Sequence, residues 1–369
     1  MNENFERARD LFVQGVEEFE AGRFETASSK FRESLRLVPG RVSTLTNLAG
    51  AQIRLSQPQA ALELLDQALT LAPEDPNVWW HRAIALGDLG RLEQALQAYD
   101  SALEIDPGLT LAWSNRGSIL KDLQRPVEAA ASFRQAIATG GDAELNAYFL
   151  AAVEVSSQGL AAPALAPARY VQSLFDNYAP TFDKHLVDTL HYRAHIVLVR
   201  NLQGLCTGRF KRALDLGCGT GLCGPLVQPL AQQIDGVDLS AKMLESAKAR
   251  AVYQRLVQAD VVAYLKTTDQ LYDLILAADV FTYIGDLAPV FRGAASVMHG
   301  AGIFCFSAEL PDSAKDFDLK TSLRYGQSEA YLRGLADRHG FDVVSILHQP
   351  LREDQQQAID GLYVYLRRR

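Results

Sequence analysis

Four cysteines in 369 residues, Cys206, Cys218, Cys223 and Cys305, are too few for a disulfide framework and fit a reducing compartment. No stretch approaches the ~18 consecutive apolar residues of a membrane span. The opening MNENFERARD mixes acids with bases and lacks the apolar core of a secretory signal, so a cytoplasmic protein without membrane contact is expected. A basic excess is also missing. Thirty-six Lys and Arg face 44 Asp and Glu, and a net charge of −8 argues against sequence-independent nucleic-acid binding. What is present, 48% apolar and 22% charged residues, is the balance of a globular chain, and the length predicts two domains or slightly more.

The acidity is confined to one part of the chain. Residues 1–154 hold 14 Lys and Arg against 22 Asp and Glu, whereas residues 155–369 hold 22 of each. Such a surface is either a solvated helical face or a field that favours a basic partner.

The same part is periodic. Pro39, Pro73 and Pro107 stand 34 residues apart, as do Ala27, Ala61, Ala95 and Ala129, and the bulky series Phe31, Leu65, Tyr99 and Phe133. Leu45, Trp79 and Trp113 add another rung. Each period reads as two helices, with Gly22 or Gly90 at the turn and proline closing the second helix, because proline lacks the N–H and clashes with the preceding turn. Small residues such as Ala95 let paired helices approach, and large ones such as Tyr99 fill the gap to the next pair. This pattern resembles the tetratricopeptide repeat over residues 8–143, four units in all. Ser56 and Gln124 replace the turn glycine in units two and four, and Gly141 replaces the fourth closing proline. DAELNAYFLAAVEV is expected to cap the solenoid's last apolar face. The resemblance implies a concave groove for an extended peptide or protein. Asn47, His81 and Asn115 occupy its inward position and resemble the asparagine ladder of O-linked N-acetylglucosamine transferase repeats; the alternative is that they bridge adjacent helices.

SSQGLAAPALAPAR, with Gly159, Pro163 and Pro167, breaks the helical pattern. The expected organisation is therefore repeats over 1–155, a linker over 156–169 and a second domain over 170–369. That domain opens with YVQSLFDNYAPTFDKHLVDTLHYRAHIVLVRNL, read as two or three short amphipathic helices.

RALDLGCGTGLCGPL is a buried strand running into a glycine loop, with a helix expected from the apolar run Leu222–Ala231. Two cofactor readings compete. Gly219, Gly221 and Gly224 match the dinucleotide pattern G-x-G-x-x-G. Gly217, Gly219 and Gly221 match G-x-G-x-G, and Asp215, two residues before them, would repel a pyrophosphate but suits the sulfonium and ammonium of S-adenosyl-L-methionine. Further along, IDGVDLS ends a strand at Asp238, placed to accept ribose hydroxyls, followed by Leu239. LVQAD brings Asp260 and Val261 to a third strand's end, where Asp260 can accept from an adenine amino group, and YDLILAADVFTYI brings Asp279 to a fourth. GIFCFSAEL, FDVVSILHQPL and GLYVYLRR are the remaining strands, and alternation with helices gives a doubly wound sheet.

DLGCGTG, VDLS, QAD and AADVFTYIGD together resemble the class I S-adenosylmethionine-dependent methyltransferases over about 170–369. The whole chain resembles bacterial methyltransferases that carry tetratricopeptide repeats. The implied fold is an all-α solenoid followed by an α/β Rossmann-like domain whose seven strands run 3-2-1-4-5-7-6, the seventh antiparallel. FDNYAPTFDKHL resembles the N-terminal helices of the biotin-pathway malonyl-carrier-protein methyltransferases, which form a lid. This makes Tyr178 and His185 lid candidates.

Methyl transfer needs positioning and exclusion of water more than acid–base help. His185 is the candidate base, and Asp279 and Tyr325 the other candidate catalytic residues, with Tyr283 and Glu309 near the acceptor's path. A carboxylate acceptor would need no base and would want an arginine such as Arg193 or Arg324. His191 and His195 stand four apart on a helix, but no further ligands accompany them, so no metal is expected. The expected activity is methylation of a peptide, protein or carrier-bound substrate recruited by the repeats. The alternative is a small-molecule methyltransferase whose repeats serve dimerisation or scaffolding.

Overall fold

Four residues at the 34-residue spacing, Gly22, Ser56, Gly90 and Gln124, take positive φ angles of 74°, 57°, 71° and 57° in the computed structural model. A chain that reverses between two packed helices needs this left-handed residue whether or not glycine supplies it. The structure describes residues 3–154, 162–186, 190, 192–205, 208–354 and 357–369. The described chain forms two compact units, Met1–Glu154 and Val155–Arg369.

In the first unit the turns join α1 (Glu3–Glu20) to α2 (Phe24–Leu37), α3 (Val42–Arg54) to α4 (Pro58–Leu71), α5 (Pro76–Asp88) to α6 (Leu92–Ile105) and α7 (Thr110–Asp122) to α8 (Pro126–Ala138). A last helix, α9 (Ala143–Glu154), packs on α8. Every residue of the alanine series and the bulky series is buried. Trp79 and Trp113 donate their indole N–H to the carbonyls of Pro73 and Pro107, so one repeat's closing proline is tied to the next helix.

The second unit opens with α10 (Ala168–Tyr178), α11 (Phe182–Lys184) and α12 (Ala194–Leu205). The sheet begins with β1 (Phe210–Leu216), α13 (Gly224–Val227), β2 (Ala231–Asp238), α14 (Ala241–Ala249), β3 (Arg255–Gln258), α15 (Val261–Thr267) and β4 (Tyr272–Ala277). It continues with α16 (Ala288–Ser296), β5 (Met298–Glu309), a short β6 (Phe317–Leu319) and β7 (Tyr325–Gln327), α17 (Glu329–Arg338), β8 (Phe341–Asp354) and β9 (Gln357–Arg368). The main path is β3-β2-β1-β4-β5, with β9 antiparallel to β5 and β8 antiparallel to β9. That is the expected order, once β8 and β9 are taken as the sixth and seventh strands. The β6–β7 hairpin, which pairs with β5 at Glu309, is an addition the sequence did not suggest.

Alternation along β5 builds both sides of the core. Phe304 and Phe306 meet Phe291 and Phe341 on one face, and Ile303 and Cys305 meet Leu198, Tyr363 and Tyr365 on the other. One expectation is corrected. The helix sought over Leu222–Ala231 is the single turn of α13, because Pro225 starts it and Pro229 bars continuation, and Ala231 already belongs to β2. The described part of the linker segment packs on the second unit: Ala166 donates to the Tyr283 carbonyl, and Gly285 and Asp286 donate to that of Ala164. Residues 155–161 lie outside the described residues.

Candidate active site

Parallel pairing of β1 with β2 sets Leu216 beside Val237 and brings Asp215 and Asp238 to one end of the sheet. The chain leaves β1 through Gly217, Gly219 and Gly221, all at positive φ. Their roles differ. A Cβ on Gly217 would lie 2.5 Å from Val280, and one on Gly221 would lie 2.9 Å from the Tyr253 ring, so these two permit close packing. A Cβ on Gly219 would meet nothing within 4 Å, because that residue borders a cavity.

The cavity has a volume of about 570 Å³, within the ~300–1,000 Å³ usual for small-molecule sites. Its floor is the loop 217–220 with Asp215, Asp238, Leu239, Asp260, Val261 and Asp279, all from the ends of strands or the turns that follow them. Its roof is α10, through Phe175 and Tyr178, and the docked segment around Leu165. The roof is fastened to the floor. Asp183 of α11 accepts from the Thr220 hydroxyl and from Arg250, and Asp176 of α10 accepts from Ser240.

The acidic groups are held in distinct ways. Asp215 is buried and accepts from the Tyr253 hydroxyl at 2.7 Å. Burial raises its pKa to about 7, with Asp238 adding to the rise and the tyrosine opposing it. Asp238 accepts the amides of Gly219 and Ser240, each at 2.8 Å; burial still leaves its carboxyl above the ordinary range. Asp260 caps α15 by accepting from the Ala263 amide at 2.9 Å. A desolvated carboxylate pushed up to about 7 beside an open cavity is a place where a cation would bind favourably. With apolar Leu239 and Val261 alongside, the donor set fits an adenosyl ligand carrying positive charge at one end.

Not every residue singled out from the sequence reaches this cavity. Tyr178, Asp215, Gly217, Gly219, Asp238, Leu239, Asp260, Val261 and Asp279 line it, whereas Gly221, His185 and Tyr325 do not. His185 lies against the Tyr178 hydroxyl through Nδ1. Tyr325 is buried, and its hydroxyl donates to the Pro163 carbonyl at 2.8 Å. Asp279, at φ 59°, accepts from Arg352 on both oxygens, at 2.9 and 3.1 Å, and Arg352 also donates to Glu309. Among the described residues no three His, Cys, Asp or Glu side chains form a group suited to a metal. His191 and Cys206 lie outside the described residues. The Cys218 and Cys223 thiols are buried and pushed up in pKa, which suits packing rather than redox chemistry.

His195, weighed from the sequence only as a metal ligand, lines the cavity instead. His195 is 7% exposed, stacks on Tyr192 with ring centroids 5.2 Å apart, and has no partner for Nδ1. Burial, with Arg250 nearby, lowers its pKa to about 4, so the ring is neutral. The signal was available: residues 195, 198, 199 and 202 form the buried stripe of α12.

In the repeats, Asn47 donates to the Ser43 carbonyl and His81 Nδ1 lies 2.8 Å from the Asn77 carbonyl, both four residues back on their own helices. Asn115 bonds the buried hydroxyl of Tyr99. Among these rungs the observed bonds run within the solenoid.

Comparison with known proteins places a methyltransferase domain at residues 214–306 and tetratricopeptide repeats at 12–76, 46–110 and 82–144. A probable S-adenosylmethionine-dependent methyltransferase of Mycobacterium tuberculosis is 27% identical over 121 residues, 33% of this chain and 43% of that protein. Human methyltransferase-like protein 27 is 44% identical over 85 residues, 22% of this chain and 34% of that protein. The malonyl-[acyl-carrier protein] O-methyltransferase of Hamiltonella defensa is 30% identical over 112 residues, 30% of this chain and 43% of that protein. The chain thus spans less than half the length of each of these relatives. Among solved structures, the N-methyltransferase NodS of Bradyrhizobium japonicum, in complex with S-adenosyl-L-homocysteine, is 15% identical with a TM-score of 0.44; the match covers 53% of this chain and 97% of that one.

Proposed function

We propose that this chain, which joins tetratricopeptide repeats to a methyltransferase domain, transfers a methyl group from S-adenosylmethionine to an acceptor inside the roofed cavity. The observation that carries this is the acidic collar on the glycine loop, with Asp215 desolvated where a cationic ligand would repay its burial. The cofactor supplies a methyl group on a sulfonium, a leaving group that needs no acid. The chain's own residues hold and enclose. Asp215 and the loop at Gly217 and Gly219 take the methionine end. Asp238, already oriented by backbone amides that include those of Gly219 and Ser240, is placed to accept a ribose hydroxyl. Asp260 would accept from the adenine amino group, with apolar Leu239 and Val261 of the same cavity wall beside the ring. The α10–α11 segment, with Tyr178, serves as the lid of a domain spanning 170–369, shutting out water while the acceptor is aligned.

A dinucleotide is disfavoured by the same features. Its pyrophosphate would face Asp215, and the four residues of α13 offer little of the helix N-terminus that such a group uses.

The repeats recruit the peptide, protein or carrier that bears the acceptor, and the acidity of residues 1–154 favours a basic partner for the groove that Asn47, His81 and Asn115 line. A second reading, a free small-molecule acceptor with the repeats serving dimerisation, is favoured by the internal bonding of those three side chains. The full chain, given cofactor with a labelled methyl group and cytoplasmic extract, separates them. Label in macromolecules supports recruitment. Label only in small products supports the second reading, and no label in either fraction contradicts both.

A further inference from the structure

At the end of β5 three cations, Arg352, Lys320 and Arg324, gather around the buried carboxylate of Glu309. Arg352, with its side chain 2% exposed, is satisfied by Asp279 and Glu309. Lys320 lies 3.1 Å from solvent-exposed Asp312 and 3.5 Å from Glu309. Arg324 comes last: its Nη1 is 3.6 Å from Glu309, outside hydrogen-bond range, and has no acceptor although it is shut away from water. Arg352 takes the close contact with Glu309, so Arg324 is held only at ion-pair distance, with no acceptor hydrogen-bonded to its Nη1.

That guanidinium lines the cavity. It is delivered there by the turn between β6 and β7, where Leu323 takes φ 63°, a conformation costly to a residue with a Cβ. The Lys320 amide donates to the Arg324 carbonyl and the Leu323 amide to the Lys320 carbonyl, which hold the turn in place. Apolar Val171, Leu174, Phe175 and Ile284 line the same cavity. A half-buried arginine, 27% exposed and only loosely paired, among apolar walls is a receptor for a planar anion with an apolar body.

We infer that the methyl acceptor is a carboxylic acid whose carboxylate is anchored by Arg324. A carboxylate oxygen forms the bond to the methyl carbon as the bond from that carbon to the sulfonium sulfur breaks, giving a methyl ester and neutral S-adenosylhomocysteine with no proton to move. The inference rests on reading the cavity as a methyltransferase site, and it names the acceptor's class. A monoanion matches one loosely paired guanidinium, whereas a phosphate dianion would leave an excess negative charge near Glu309 and Asp279.

The test uses the full chain saturated with S-adenosylhomocysteine and titrated calorimetrically with phenylacetate, phenylacetamide and phenyl phosphate. Phenylacetate is expected to bind at least about tenfold more tightly than the isosteric amide. Arg324→Gln is expected to abolish that difference, and Arg324→Lys to restore part of it, with S-adenosylhomocysteine affinity unchanged in both. Equal binding of acid and amide, binding of neither, a preference that survives Arg324→Gln, or tighter binding of the phosphate would overturn the inference. Failure of S-adenosylhomocysteine itself to bind the unaltered chain would instead overturn the cofactor reading, and the acid–amide comparison made without it would still judge Arg324.

Discussion

Asp238 and Gly219 are joined by a hydrogen bond of 2.8 Å from the glycine amide to the carboxylate, so the end of the second strand holds the loop that follows the first. The other oxygen of the same carboxylate receives the Ser240 amide and orders the start of α14. One side chain therefore shapes the floor of the cavity as well as facing it. Asp238→Ala is expected to weaken S-adenosylhomocysteine binding about 10- to 100-fold, the scale of a lost charged hydrogen bond. Calorimetry on the full chain measures this, and unchanged affinity would show that another group holds the ribose.

Asp215 makes binding and stability depend on pH in opposite senses. Its native pKa of about 7 lies above the ~3.9 of an unfolded chain. The native state therefore holds this proton more tightly, and the stability it contributes is full below pH ~4 and lost as pH rises through about 7. S-adenosylmethionine affinity should rise over pH 6–7 and level off above. Asp215→Asn should flatten that profile while raising the ligand-free melting temperature at pH 8 by about 2–6 °C. Tyr253→Phe, which removes the bond opposing the rise, should move the binding profile to higher pH.

Asp183 ties the roof to the loop through Thr220 and Arg250, and about half of its side chain is exposed. Asp183→Ala should speed cofactor dissociation about 5- to 10-fold in stopped-flow measurements with little change in melting temperature, because an exposed pair adds little to global stability.

Gln124 and Ser56 hold the left-handed turn position that Gly22 and Gly90 occupy elsewhere. Gln124→Gly should stabilise the repeats by about 1 kcal/mol, read from the urea midpoint of their unfolding, since it removes the clash of a Cβ at positive φ.

Local patterns in the sequence were enough for much of this architecture. The 34-residue period carries the helix pairs because each repeat buries the same small and large positions, and the strand ends are marked by Asp215, Asp238 and Asp260. Pairings between distant residues were not legible. Asp279 meets Arg352 across 73 positions, and nothing near either residue signals it. Tyr325 is a catalytic candidate by sequence, yet its hydroxyl is taken by the carbonyl of Pro163, far upstream. The β6–β7 hairpin escaped notice because strands of three residues show no usable alternation. The Leu222–Ala231 run was read by its apolar character when Pro229 should have decided it.

The most direct measurement is calorimetric titration of the full chain with S-adenosylmethionine and, separately, with oxidised nicotinamide adenine dinucleotide. The account predicts saturable one-to-one binding of the sulfonium compound, weakened at pH 6, and no binding of the dinucleotide. Binding of the dinucleotide with none of the sulfonium compound would contradict it.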